Sequence, residues 1–130
     1  MRHIDIKERR YTRDHEWIDF YESYAITGIS PFKLKGIRHL DKVIPLHPGG
    51  SFVREGQILA ILINRDYQIT IHMPVDGYVL KINEGLTGPE ILASPDKDGW
   101  IAILTPLDRE HRSRLMPKDD YERKYKVDSL

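Results

Sequence analysis

Apolar and polar residues alternate in short runs along the middle of the chain, and this pattern predicts a small, mainly β protein. Two aromatic and β-branched runs, residues 17–21 and 24–29, predict a first hairpin. Residues 57–63 are nearly all apolar, as in a strand covered on both faces, whereas residues 68–73 alternate, as in a half-buried strand. The polar segment between them, residues 64–67, therefore predicts a tight hairpin tip presented to solvent.

The remaining predicted elements are short. In chain order they are a helical turn capped by Ser30 (31–40), a strand (78–82), a helical turn (89–93) and a last strand (99–104).

The length of 130 residues fits one domain. Positive charges dominate the start of the chain, so we expect a basic N-terminal arm at residues 1–10, followed by a single domain at residues 11–130. The spacing of Tyr121 and Tyr125 places both rings on one face of a C-terminal helix of about residues 115–126.

Composition excludes several classes of function. The 20 Lys and Arg residues balance the 20 Asp and Glu residues, so the basic footprint of a nucleic-acid-binding protein is missing. No cysteine is available for disulfides, thiol catalysis or thiolate metal sites. No apolar run is long enough for a membrane span, and the N-terminus has no signal-peptide core, so we expect a cytoplasmic protein without a membrane partner.

The sequence contains no complete catalytic or metal-binding motif among those considered below. The chain contains no glycine-rich phosphate loop and no G-x-S-x-G turn, so we predict no catalytic residues. His15-Glu16 resembles the start of a zinc-protease motif, but Asp19 stands where the second histidine is required. We expect no metal site, although a metal- or small-molecule-binding role for the histidine-containing loops remains an alternative.

Residues 11–17, YTRDHEW, resemble the opening of the glycine cleavage system H protein, which reads Y-T-x-x-H-E-W. Further matches follow in the family's order and nearly its spacing across residues 11–126. They are Gly28–Ser30, Pro48-Gly49, Val53–Gly56, Pro74–Val79, Ile82–Leu86, Pro89–Leu92, Gly99–Ile101 and Leu115-Met116 with Tyr121-Glu122.

The resemblance implies the lipoyl/biotinyl barrel-sandwich hybrid, two small sheets with quasi-twofold symmetry, together with short peripheral helices and a C-terminal helix. It also implies a carrier and not an enzyme. The family's H protein carries a lipoyl group on one lysine at the hairpin tip. That arm takes an aminomethyl group from the decarboxylating subunit, presents it to the tetrahydrofolate-dependent subunit, and is reoxidised by a dihydrolipoyl dehydrogenase.

This chain departs from the family at the attachment site. The family's E-S-V-K is replaced by Ile63, Asn64, Arg65 and Asp66, so Asp66 stands where the modified lysine is expected. No lysine occurs between Lys42 and Lys81. Lipoylation forms an amide with a primary amine, which neither a carboxylate nor a guanidinium can replace. We therefore predict a lipoylation-deficient protein that carries no cofactor.

Two interpretations of the tip, Asn64, Arg65, Asp66 and Tyr67, stay open. It is either a stable turn that remained after sequence drift removed the attachment lysine, or a new contact surface in which Arg65 and Tyr67 are typical interface residues. The favoured function is a non-catalytic, H-protein-like module that binds glycine cleavage or lipoate-handling proteins. The alternative is a working lipoyl carrier in glycine decarboxylation.

Overall fold

The computed structural model describes residues 8–65 and 67–125. Ten strands, two α-helices and two 3₁₀ helices make up these described residues. In order they are β1 (Glu8–Tyr11), β2 (Glu16–Phe20), β3 (Ala25–Ile29), a 3₁₀ helix (Pro31–Leu34), β4 (Lys42–Pro45), β5 (Phe52–Val53), β6 (Ile58–Asn64), β7 (Tyr67–His72), β8 (Gly77–Ile82), α1 (Gly88–Ala93), β9 (Ala102–Pro106), a second 3₁₀ helix (Arg109–Arg114), β10 (Met116–Pro117) and α2 (Lys118–Lys124).

The strands form two antiparallel sheets. The larger has the order β10-β1-β2-β3-β9-β8-β5, and the smaller has the order β4-β6-β7. In the smaller sheet the β6–β7 hairpin pairs in register from its tip, where Asn64 faces Tyr67, down to Ala60 and Ile71. The fold is therefore mainly β with two sheets, as the sequence and the resemblance indicate.

The main core lies between the two sheets. Leu62 and Ile71 of the small sheet and Ile18 and Leu104 of the large sheet are fully buried in one cluster. Burying one such aliphatic side chain stabilises the fold by roughly 1.5–3 kcal/mol. Because Leu62 and Ile71 lie on β6 and β7, the same burial that holds the sheets together also holds the hairpin in register.

A second, aromatic cluster attaches α2 to the large sheet. The rings of Tyr11 and Tyr121 stack with centroids 3.8 Å apart. Tyr121 and Tyr125 lie 4.9 Å apart, which confirms that both rings share one face of the helix. Trp17 is 1% exposed in this cluster and is a core residue.

The start of the domain differs from the prediction. The boundary at residue 10 falls inside β1, which pairs with both β2 and β10. Arg9 does not extend into solvent: its guanidinium binds the Asp19 carboxylate at 2.6 and 2.9 Å and lies 4.0 Å from the Trp17 ring centroid. The sequence predicts a solvated arm from its charge alone, because it does not show that Asp19 is the partner of Arg9. Residues 1–7 of the predicted arm lie outside the described residues.

The C-terminal helix is shorter than predicted. It spans Lys118–Lys124, because Met116 pairs with Tyr11 as part of β10 and Pro117 caps the helix. The predicted end at residue 126 lies outside the described residues. The last predicted strand, 99–104, is shifted to Ala102–Pro106. It includes Pro106 because a proline is tolerated at a strand end, where the missing N–H is not needed.

Other local predictions are confirmed in element type, although the helical turn predicted at 31–40 ends at Leu34, before Gly36 with its φ of 83°. Both hairpins form, and the 3₁₀ helix after Ser30 begins with the Ser30 side chain accepting a hydrogen bond from the Phe32 amide. The turn of helix at α1 has a full capping box between Thr87 and Glu90. Across residues 8–65 and 67–125, no helix combines the length and apolar character that a membrane crossing requires.

Candidate functional site

The β6–β7 hairpin ends in the tip that the sequence indicates. Asn64 and Tyr67 are its last paired residues, and Arg65 belongs to the turn between them. Arg65 is exposed and Tyr67 is 47% exposed, so both side chains are accessible to a partner. Asp66, which the resemblance places at the family's attachment position, lies outside the described residues.

The segment before β4 holds the tip in place. The side-chain amide of Asn64 donates to the backbone carbonyl of His39, and the Asp41 amide donates to the Ile63 carbonyl at 2.7 Å. These two contacts fix the end of the hairpin against a neighbouring chain segment. The tip is therefore a positioned surface and not a free loop.

The chemistry of the tip residues does not fit a lipoyl group. Asn64, Arg65 and Tyr67 offer an amide, a guanidinium and a phenol, and none of these is an acylable primary amine. The strand register places Lys42 of β4 opposite Ile63 of β6. Lys42 is thus a neighbour of the tip across the sheet, but it is not part of the tip.

A charged cluster of Asp14, Glu16, Lys33 and His72 lies at the other end of β7. Five residue steps separate Tyr67 from His72, roughly 17 Å along the strand. The Nδ1 atom of His72 lies 2.6 Å from Asp14 Oδ2 and 3.1 Å from Glu16 Oε2. The Lys33 ammonium donates to the same two oxygens at 2.9 and 3.0 Å.

A tight turn between β1 and β2 positions the two carboxylates. The Thr12 amide donates to the Glu16 carbonyl at 2.9 Å, and the His15 amide donates to the Thr12 carbonyl at 3.2 Å. His15 has a φ of 68°, in the left-handed region that non-glycine residues rarely adopt. This reversal at His15 carries the chain from Asp14 into Glu16, the first residue of β2.

Glu16 is the buried carboxylate of the cluster. It is only 1% exposed, and its carboxylate accepts hydrogen bonds from the Thr12 hydroxyl at 2.7 Å, the Lys33 ammonium at 3.0 Å and the His72 amide at 3.0 Å. A buried charge that is satisfied in this way is held rigidly, because moving it would leave donors unpaired.

Asp14 is held in its charged form. Partial burial alone would raise its pKa, but the hydrogen bond from the Lys33 ammonium and the positive charge of that group outweigh burial, so the pKa of Asp14 lies below its ordinary value. At neutral pH the cluster therefore contains at least one ionised carboxylate that points toward His72 and Lys33.

His15 faces away from the cluster, toward α2. Its Nδ1 atom lies 2.8 Å from the Tyr121 hydroxyl, which donates to Ser30 Oγ at 2.9 Å. Burial, followed by the positive charge of Lys33, lowers the pKa of His15. The turn thus presents carboxylates to one side and a neutral imidazole to the other.

A cleft of about 750 Å³ opens beside the charged cluster. Its walls come from four parts of the chain. They include Tyr11, Asp14 and Glu16 of the β1–β2 region, Glu55 and Gly56 before β6, His72 to Pro74 at the end of β7 and just after it, and Arg114 to Met116 before α2. Asp14, Glu16 and His72 all contribute to this wall. The side chains of Asp14 and His72 are 54% and 29% exposed, so water and small solutes reach them, whereas Glu16 is buried.

Sequence reasoning found the tip and missed the cluster. It noticed His15-Glu16 only as a fragment of a zinc-protease motif, and the structure separates its members: His15 faces Tyr121, and Asp19 pairs with Arg9. The spacing of Asp14 and Glu16, with one residue between them in a turn, was the available sign that their two carboxylates lie close together. Nothing in the sequence relates that pair to His72, which lies 56 residues after Glu16.

A two-sheet β fold that presents a short hairpin tip defines the lipoyl-type class of carrier domain. A family model described as "Glycine cleavage H-protein" matches residues 9–128. The chain therefore belongs to the glycine cleavage H-protein family, a family of carrier proteins.

Individual relatives agree with this assignment. A glycine cleavage system H protein of Caulobacter vibrioides is 31% identical over 116 residues, covering 87% of this chain and 94% of the relative. A probable glycine cleavage system H protein of Korarchaeum cryptofilum is 28% identical over 129 residues, covering 88% and 91%. The crystal structure of an H protein from Mycobacterium marinum matches the fold with a TM-score of 0.77, at 22% identity and with 92% and 98% coverage.

Proposed function

We propose that this chain is an H-protein-like module that works through protein contacts and carries no lipoyl group. It is not itself an enzyme, and it uses the family's rigid hairpin tip as a recognition surface. The single observation that carries the proposal is the replacement of the expected attachment lysine by Asp66, in a chain with no lysine between Lys42 and Lys81.

The geometry of the hairpin supports a binding role. Asn64 and Asp41 tie the tip to the segment before β4, so presenting it to a partner costs little conformational entropy. Arg65 and Tyr67 are exposed, and arginine and tyrosine are enriched among residues that dominate interface energetics. The proposed partners are cytoplasmic glycine cleavage or lipoate-handling proteins, because the chain keeps the family framework that surrounds the tip.

Intact-mass spectrometry tests the absence of the lipoyl group. The protein is produced in cells supplied with lipoate and active lipoylation enzymes, and its mass is compared with the unmodified polypeptide. We expect only the unmodified mass. The double variant Ile63→Glu, Asp66→Lys, made in the same cells, shows whether the machinery can recognise this fold. A lipoyl adduct on the natural sequence would overturn the proposal.

A working lipoyl carrier remains the second candidate function, because the family match spans residues 9–128. It requires an amine elsewhere, and the register makes Lys42, opposite Ile63, the first lysine to examine. Peptide mapping of any modified protein, together with the variant Lys42→Arg, distinguishes this route. An adduct that disappears in Lys42→Arg would establish the carrier function at an unexpected position.

A native pull-down tests the partner side of the proposal. The chain is used as bait against purified glycine cleavage and lipoate-handling proteins, with the double variant Arg65→Ala, Tyr67→Ala as the matched control. We expect retention by at least one of them and loss in the control. Equal retention of a partner by both baits would show that the tip is not the contact surface.

A further inference from the structure

We propose that Asp14, Glu16 and His72 form a binding site for a divalent transition-metal ion, with Zn²⁺ as the representative ion. In the metal-free protein the ammonium group of Lys33 takes the position of the cation. The proposal is independent of the lipoyl question, since the cluster lies at the opposite end of β7 from the tip.

The three donor atoms already lie close to metal-binding spacing. Tetrahedral zinc with bonds of about 2.0 Å requires its ligand atoms to be roughly 3.3 Å apart. His72 Nδ1 lies 2.6 Å from Asp14 Oδ2 and 3.1 Å from Glu16 Oε2, and all three donor atoms lie within 4.8 Å of one another. Small side-chain adjustments would therefore create a three-ligand site.

Neighbouring groups orient two of the ligands in the manner of known metal sites. Metal-binding histidines commonly direct the second ring nitrogen at an oxygen, and His72 Nε2 lies 3.3 Å from the Thr70 hydroxyl. This arrangement leaves Nδ1 to face the carboxylates. The Oε1 atom of Glu16 accepts a 2.7 Å hydrogen bond from the Thr12 hydroxyl. Its Oε2 atom accepts from the His72 amide at 3.0 Å and faces the cation position that the Lys33 ammonium occupies.

The Lys33 ammonium shows that the oxygens converge on a point where a cation is stable. Its three hydrogen bonds go to Asp14 Oδ2 at 2.9 Å, to Glu16 Oε2 at 3.0 Å and to the Asp14 carbonyl at 3.0 Å. A divalent ion offers these carboxylates more charge and adds a coordinate bond to the imidazole of His72. Lysine has a flexible stem, so its head group can move away when the ion enters.

The donor set selects the class of ion. An imidazole nitrogen with two carboxylates favours Zn²⁺ and its neighbours in the transition series over Mg²⁺ or Ca²⁺, which prefer oxygen ligands alone. Because the three residues line the 750 Å³ cleft, a fourth coordination position faces solvent. A bound ion would hold water there.

Titration calorimetry with ZnCl₂ on the full chain tests the site. We expect one Zn²⁺ per chain, and Lys33→Met should bind about tenfold more tightly because a competing positive charge is removed. Lys35→Met is the matched control: it removes the same charge two residues away and should leave the affinity unchanged. Co²⁺ titration followed by visible absorption reports the ligand geometry separately.

Two further variants identify the ligands. His72→Ala and Asp14→Asn should each weaken binding at least tenfold, and circular dichroism checks that both remain folded. Of the two substitutions, Asp14→Asn should disturb the fold less, because the Asp14 side chain is 54% exposed. His39→Ala is the control, since His39 forms an exposed pair with Asp41 that lacks a third donor among the residues described.

The results separate the outcomes clearly. Failure of both the natural chain and Lys33→Met to bind Zn²⁺ would overturn the proposal. Binding that survives in both His72→Ala and Asp14→Asn, or that is lost in His39→Ala, would place the ion elsewhere and overturn it equally. None of these outcomes alters the mass measurement on which the proposed function depends.

Discussion

Individual side chains are fitted closely where the sheets meet the aromatic cluster, and Trp17 with Gly28 is the clearest pair. The Trp17 indole N–H donates to the Ile29 and Pro95 carbonyls at 3.0 and 3.1 Å. A Cβ atom on Gly28 would lie 2.6 Å from the indole ring. Glycine is therefore required at this position because of the ring that packs on it.

Replacing Gly28 by alanine should destabilise the protein by about 1–3 kcal/mol, since the added methyl group overpacks a buried site. Urea denaturation followed by tryptophan fluorescence measures this loss. In a Trp17→Phe background the same substitution should cost less, because the smaller ring leaves space. An equal cost in both backgrounds would show that Trp17 is not what excludes the methyl group.

The pH dependence of stability has its origin in single residues of the β1–β2 turn. The pKa values of both His15 and Asp14 are lowered in the fold. A lowered pKa means that the unfolded chain binds protons more readily, so folding stability is lost as pH falls. The His15 contribution is complete above the unfolded value of about 6.5. The Asp14 contribution is lost only at more acidic pH.

The free energy of unfolding should therefore decrease between pH 7 and pH 5, before the carboxylates titrate. Urea denaturation at a series of pH values measures the slope. His15→Asn should flatten it, and asparagine is chosen because it tolerates the positive φ at this position. An unchanged slope in His15→Asn would assign the effect to another histidine.

The β6–β7 hairpin shows what an element can and cannot reveal through its sequence. The apolar run of β6 and the alternation of β7 predict the strands, because burial on defined faces fixes both patterns. The hydrogen bond from Asn64 to the His39 carbonyl could not be predicted, since it joins segments 25 residues apart. Local pattern therefore gives the hairpin, and tertiary packing supplies its anchor.

Restoring the family's residues at this hairpin should restore modification in two steps. Asp66→Lys supplies the amine, and we expect little lipoylation of this single variant. Adding Ile63→Glu should raise it severalfold, since the family carries a glutamate there. The substitution also suits the sheet, because Lys42 lies directly opposite. Intact mass gives the modified fraction, and full modification of Asp66→Lys alone would show that residue 63 is dispensable.

At the scale of the whole molecule, the ion pairs of the charged cluster and of β1 could not be predicted from the sequence. Glu16, Lys33 and His72 come from three separate elements, and only the packing of those elements brings their charges together. Arg9 was expected to be solvated for the same reason: its partner, Asp19, becomes visible only once β1 and β2 pair. Fold class follows from patterns, whereas these ion pairs follow from the assembled structure.

The attachment of α2 gives a prediction at alkaline pH. Burial raises the pKa of Tyr121 to about 12, so the folded protein resists ionisation of a phenol that the unfolded chain ionises near pH 10. The stabilising contribution is complete below pH 10 and is lost as pH rises toward 12. Tyr121→Phe should reduce the loss of stability over this interval, measured by denaturation at pH 9 to 12. A steeper loss in the variant would contradict the assignment.

The strand order of the large sheet has a kinetic consequence. β1 joins β10 through residues more than 100 positions apart, Arg10 with Pro117 and Tyr11 with Met116. β3 also joins β9 across a long interval, Ala25 with Leu104, which are 79 positions apart. Closing these long loops costs conformational entropy before the strand pairings can stabilise the chain. Refolding should therefore take on the order of milliseconds to seconds. Until then the freshly diluted chain exposes unpaired strand edges, and aggregation competes most strongly with folding in that interval.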